Sequence, residues 1–181
     1  MKKVVLTFGL IGGAVLAVLM MVTLPFHDQI GFDRAVYVGY TTMVLAFLMV
    51  YFGVQSYRDN VAGGSLTFGR AFTVGLLISI VIMVCYVAVW EVVFYNVMPD
   101  YFDKYAAYTL EQARQAGTSE AAIAEQMKQL ADFKELFKNP LIFAAFGLLE
   151  PLPVALVFTL VTAGVVSRKR TRQGEAAASA R

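Results

Sequence analysis

The chain has little of what soluble enzymes use for chemistry. Only 15% of its 181 residues are charged, against the roughly 25% of soluble domains. It has one cysteine and one histidine. Cys85, midway along an apolar run, has no second thiol in the chain, which excludes an intrachain disulfide framework and a cysteine-based metal cluster. His27 stands beside Asp28 without a second histidine, whereas a zinc site needs about three or four ligands. It reads as a solvated loop residue. The net charge of +2 is too small to point to nucleic acid. Serine, histidine and aspartate fall in no nucleophilic arrangement, and no lipidation motif is present. Together these shortages predict a protein that is not an enzyme and uses no cofactor or metal.

What the chain does have is hydrophobic length. Residues AVILMFWYC make up 59% of it, gathered in four runs at about 4–24, 35–57, 70–95 and 141–166. A bilayer core takes about 20 apolar residues as helix. Backbone polar groups in lipid must bond within their own segment, so each run is predicted helical. The expected fold is all-α, a polytopic membrane protein with four transmembrane helices in a single domain, 1–170. Residues 171–181 are expected to form a flexible cytoplasmic tail. The first run follows Lys2 and Lys3 like a signal peptide, but signal cores span only about 7–15 residues. This run continues to Pro25 without an A-x-A-like site, so a retained anchor is expected.

Basic residues set the orientation. Lys2 and Lys3, Arg58 and Arg70, and Arg168, Lys169, Arg170 and Arg172 must share one side. Arg34 lies opposite, as does the long third loop, whose acids outnumber its bases. Short basic loops stay in the cytoplasm, so both termini are expected inside. Trp90, Phe94 and Tyr95 then gather at the outer end of the third span, as interfacial anchors.

Between the third and fourth spans, residues 98–138 pattern as two amphipathic helices. Pro99 suits a first helical position, Tyr101, Tyr105 and Tyr108 recur at helical spacing, and Gly117 marks a stop. Thr118 or Ser119 is a cap candidate for a second helix with the stripe Ile123, Met127, Leu130, Phe133 and Phe137. A hairpin packed stripe to stripe is favoured over a membrane-lying or partner-binding helix, because the polar face is mixed and acidic. Gly9 with Gly13, and Gly75 with Ser79, are small-residue pairs that let helices approach. Packing within the chain is favoured there over a dimer face.

The short inner loop reads Tyr57-Arg58-Asp59, Gly63-Gly64 and Phe68, with Thr67 as a cap candidate for the third span. Its spacing fits neither a Walker loop nor a dinucleotide fingerprint, and no strand precedes it, so a tight turn is expected. Tyr57-Arg58-Asp59, then Gly63-Gly64, then Thr67-Phe68-Gly69 leading into an apolar span, resembles the signature of the bacterial membrane family called domain of unknown function 4199. The layout from about Lys3 to Arg170 is similar too: four spans, a charged helical insert opened by Pro99-Asp100, and a basic tail. The resemblance implies a bacterial inner (plasma) membrane, no established activity and no catalytic residue. Glu150-Pro151-Leu152-Pro153 departs from the smoother helix it implies.

Ionisable groups within spans are costly and are functional candidates by default. Glu91 and Glu150 qualify. Glu91 lies 21 residues beyond Arg70 and Glu150 lies 18 before Arg168, which places both near the outer boundary at about 31 and 27 Å. They form a candidate intramembrane acidic pair; alternatively each reaches the outer head-group region or pairs with Lys138, Lys104 or Arg34. Two functions follow. The favoured one is a non-enzymatic structural or interaction module in the lipid bilayer, with a protein partner or self-association through the outer hairpin. The alternative is a small ion or proton transporter or channel component that uses Glu91 and Glu150 in an oligomer.

Overall fold

The computed structural model describes residues 1–179, with side chains described for all but Asp28 and residues 168–179. The elements are α1 (Lys2–Thr23), a 3₁₀ turn (Leu24–Phe26), α2 (His27–Ile30), α3 (Phe32–Asn60), α4 (Phe68–Val92), a π turn (Val93–Val97), α5 (Tyr101–Gln115), α6 (Glu120–Leu136), α7 (Pro140–Leu149) and α8 (Leu152–Ser179). The described residues contain no strand. Three helical stretches, Lys2–Phe26, Phe32–Asn60 and Phe68–Val97, are long and apolar enough to cross a membrane. A fourth is added if α7 and α8 count as one span, bent by 42°.

That bend falls at Glu150-Pro151-Leu152-Pro153, the stretch whose sequence departs from a smooth helix, so the run 141–166 is two helices and not one. Pro151 and Pro153 have no N–H, so the carbonyls of Gly147 and Leu149 lose their helical donors, and the ring of Pro151 crowds the preceding turn. The polypeptide restarts at once, with the Ala155 amide bonded to the Pro151 carbonyl at 2.9 Å. Beyond Arg170 the backbone stays helical to Ser179. The basic side chains of Arg168, Lys169, Arg170 and Arg172 lie outside the described residues.

The long helices pack as a bundle in which α4 touches α1, α3 and α8, while α3 also touches α1 and α8. Phe47, Val50, Val54, Val74, Ile78 and Ile82 are fully buried along this α3–α4 seam. Outward-facing Leu10, Val18, Leu45, Phe52, Val84, Val157 and Val161 remain exposed, an apolar surface suited to acyl chains. Apolar attraction between helices is weak in such a medium, and small residues take its place. On α1, Gly9, Gly12 and Gly13 meet Val81, Ile82 and Cys85 of α4 with no room for a Cβ. Gly75 similarly faces Thr159 and Val50, and one turn on, Ser79 and Thr159 share a buried hydroxyl hydrogen bond of 3.1 Å. Both small-residue pairs thus serve packing within the chain.

Local signals hold unevenly. Gly117 takes φ +69° and ends α5, with the Thr118 amide bonded to the Ala113 carbonyl. Ser119 caps α6 through the Ala122 amide. Thr67 occupies the cap position of α4, yet its hydroxyl makes no capping bond there. Pro99 lies before the first turn of α5, whose cap position is Asp100.

An added Cβ at Gly9 would stand 2.6 Å from both Cβ and Cγ1 of Val81, atoms that cannot swing aside. Gly9→Ala is therefore expected to destabilise the protein by about 1–3 kcal/mol, read as a lowered melting temperature in detergent. Gly39→Ala, with nothing within 4 Å of the new carbon, should leave melting unchanged or slightly raised.

Candidate functional site

The bend places Glu150 where α7 and α8 part. Its carboxylate accepts a 2.6 Å hydrogen bond from the hydroxyl of Tyr86 on α4. Tyr86 is almost wholly buried, whereas Glu150 keeps accessible surface. Glu150 lines two cavities. The first, of about 300 Å³, lies among the ends of α1, α3 and α4; its walls include Leu16, Met20, His27, Met43, Trp90 and Tyr105. The second, of about 310 Å³, is walled by Phe94, Phe102, Phe137, Phe143, Phe146 and Gly147. Trp90, Tyr101 and Glu150 belong to both.

Tyr101 is the hub of the surrounding rings. Its centroid lies 5.8 Å from Phe32, 6.1 Å from Trp90 and 6.3 Å from Phe94. Burial is the main cause that keeps its phenol above the usual tyrosine range, so it is neutral near pH 7. The cover over the cavities is tied down at several points. Tyr108 bonds to Asp33, which raises its phenol above the ordinary value. Lys134 of α6 bridges to Asp103 of α5. The π turn at the end of α4 sets Phe94 4.7 Å from Phe143 and lets the Tyr95 hydroxyl donate to the Phe137 carbonyl at 2.6 Å.

No hydrogen bond and no shared cavity joins Glu91 to Glu150 among the described residues. Glu91 lines neither cavity, has no hydrogen bond or ion pair among the described residues, and lies within electrostatic reach of Tyr95. Glu150 instead bonds to Tyr86, whose Cα lies five residues, about 7 Å, down α4 from Glu91. Equal spacing from basic residues failed as a ruler, because it treats the fourth span as straight. Nor does Glu150 meet the cations considered for it: Lys104 pairs with Asp100 and Lys138 with Glu135. His27 is not a bare loop residue, since its ring packs 5.1 Å from Phe32 and 6.1 Å from Tyr101. Trp90 and Phe94 turn inward as cavity walls rather than serving only as lipid anchors. Tyr86 went unrecognised in the sequence. The signal was its spacing of four from Trp90, which puts both rings on one helical face.

The inner loop builds a turn. Tyr57 and Arg58 are buried, and Arg58 grips Asp59 at 2.6 and 3.1 Å. The Gly64 amide bonds to the Arg58 carbonyl at 2.9 Å, while Gly63 and Gly64 take φ of +69° and +84°, which a side chain disfavours. Phe68 stacks on Phe72 with centroids 6.3 Å apart. Tyr57, Arg58, Asp59, Gly63, Gly64 and Phe68 thus all take part in the turn or the packing beside it, and the expectation of a tight turn holds.

Residues 7–168 match the family described as "Protein of unknown function (DUF4199)". The chain belongs to this family. No curated protein and no solved structure matches it. The DUF4199 match spans the inner-loop motif, both cavities and the helix break.

Tyr86→Phe removes a short hydrogen bond to a carboxylate and is expected to destabilise the protein by about 1–3 kcal/mol. Combined with Glu150→Ala, which removes the acceptor, the loss should fall short of additive by about 1 kcal/mol, as for groups that act on each other. Melting of both single variants and the double variant in detergent checks this; strict additivity would mean the bond contributes nothing.

Proposed function

We propose that this member of DUF4199 is a multipass protein of the bacterial inner membrane, with both termini in the cytoplasm. It acts without catalysis, as a binding module through its outer end. The observation that carries this reading is Glu150, which keeps accessible surface and lines a cavity together with Trp90, Tyr101 and Tyr105. A carboxylate in an apolar run is costly, and here it lines a cavity instead of being sealed into the core. The orientation rests on Arg58 and Arg70 in the short loop and on the acid-rich third loop. The exposed Phe133, Leu136 and Leu141 give the same end an apolar flank for lipid or a protein partner.

A second reading is favoured by one feature, the 42° break beside Glu150. Broken helices next to acids recur where transporters hold ions. It stands behind the first because Glu91 does not join Glu150, and because a single four-helix bundle has a filled core.

Cysteine labelling tests the orientation. In a Cys85→Ala background, a cysteine replacing Lys128 on α6 should react with an impermeant maleimide in intact cells, and one replacing Asn60 only after lysis. The opposite pattern overturns the reading. In proteoliposomes no proton or monovalent-cation flux is expected; flux abolished by Glu150→Gln would put the transporter in its place.

A further inference from the structure

We propose that the cavity at Glu150 binds an organic ammonium cation with an apolar body, a proposal that rests on the binding-module reading and names its ligand class. The first support is charge. Among the described residues Glu150 has one hydrogen-bond partner, Tyr86, and no ion pair. Lys104, Lys134 and Lys138 are each held by another acid, Asp100, Asp103 and Glu135. An accessible carboxylate in low-dielectric surroundings gains most from a cation that it can contact directly.

The walls decide which cation. Trp90, Tyr101 and Tyr105 line the cavity that contains the carboxylate, and Phe32 lies 5.3 Å from Tyr105 and 5.8 Å from Tyr101. Faces of such rings attract alkylated ammonium groups within about 6 Å, tryptophan most strongly. A hard divalent ion needs about six or more oxygen ligands, and the described residues hold no group of three or more metal-ligating His, Cys, Asp or Glu side chains. Leu16, Met20 and Met43 on the remaining walls offer apolar surface for the body of the ligand. The volume of about 300 Å³ matches the lower end of small-molecule sites, about 300–1,000 Å³. An ammonium of this kind occurs in free organic amines and in aminophospholipid head groups, and the cavity chemistry recognises both.

Trp90 is the only tryptophan and lines both cavities, so its fluorescence reports on occupancy. The full-length protein in maltoside micelles is titrated with benzyltrimethylammonium and, separately, with its uncharged carbon analogue neopentylbenzene. A saturable change and a raised melting temperature are expected with the ammonium alone. Absence of saturation, or equal responses to the two compounds, overturns the proposal using the native protein only. Glu150→Gln, shown by its melting curve to be folded, should weaken binding by about fivefold or more, the scale of a lost charge contact; a smaller loss also overturns it. Nanodiscs containing phosphatidylethanolamine are then compared with discs in which an uncharged glycolipid replaces it. Weaker probe binding with the aminophospholipid assigns the site to a lipid head group, and equal binding assigns it to a free amine; either upholds the ammonium site. If labelling gives the expected orientation while the ammonium fails to bind, only the ligand class falls.

Discussion

A carboxylate set in an apolar helical run has to be solvated by something, and the surroundings of Glu150 do so. Tyr86 supplies one strong donor at 2.6 Å. The rest of the group stays accessible, which requires open space beside it. That space lies beside the bend between α7 and α8 and is lined by residues of α1, α3, α4 and α5. Fully burying the charge without a partner would be far more costly than leaving it in a cavity.

The same end shows how a long loop becomes structure. Amphipathic helices as short as α5 and α6 gain little stability from propensity alone. Their order comes from Tyr101, Phe102 and Phe137, which join the ring cluster of α4 and α7, and from polar ties at Asp33 and Asp103. Ring contacts beyond area burial are worth roughly 0.5–1.5 kcal/mol each. The cluster reaches from His27 in the first connection to Phe146 in α7. Elements distant in sequence therefore meet in one aromatic layer.

Much of the framework was legible in the residues. Hydrophobic length marks the long helices because lipid imposes it, Gly117 marks a stop because few residues accept positive φ, and Gly9 with Gly13 marks a close helix contact because nothing larger fits. The candidate site was half legible. Glu150 stands out as an acid in an apolar run beside two prolines. Its partner did not, since a tyrosine in a span is ordinary and the match depends on α7 and α8 meeting at an angle. Nothing in the first two apolar runs marks a cavity for the same reason: Met20 and Met43 become cavity walls only once the bundle is assembled. The π turn at Val93–Val97 left no mark in the residue pattern, because its wider winding depends on how Phe94 and Tyr95 are received by their neighbours.

The bend between α7 and α8 has a geometric reach beyond its own turn. Ten residues of α7 at 1.5 Å each form an arm of about 15 Å, and a 42° deflection carries its far end roughly 10 Å off the axis of α8. That offset is about the width of one helix. Two missing N–H groups, at Pro151 and Pro153, thus set the far end of α7 one helix width off the axis of α8.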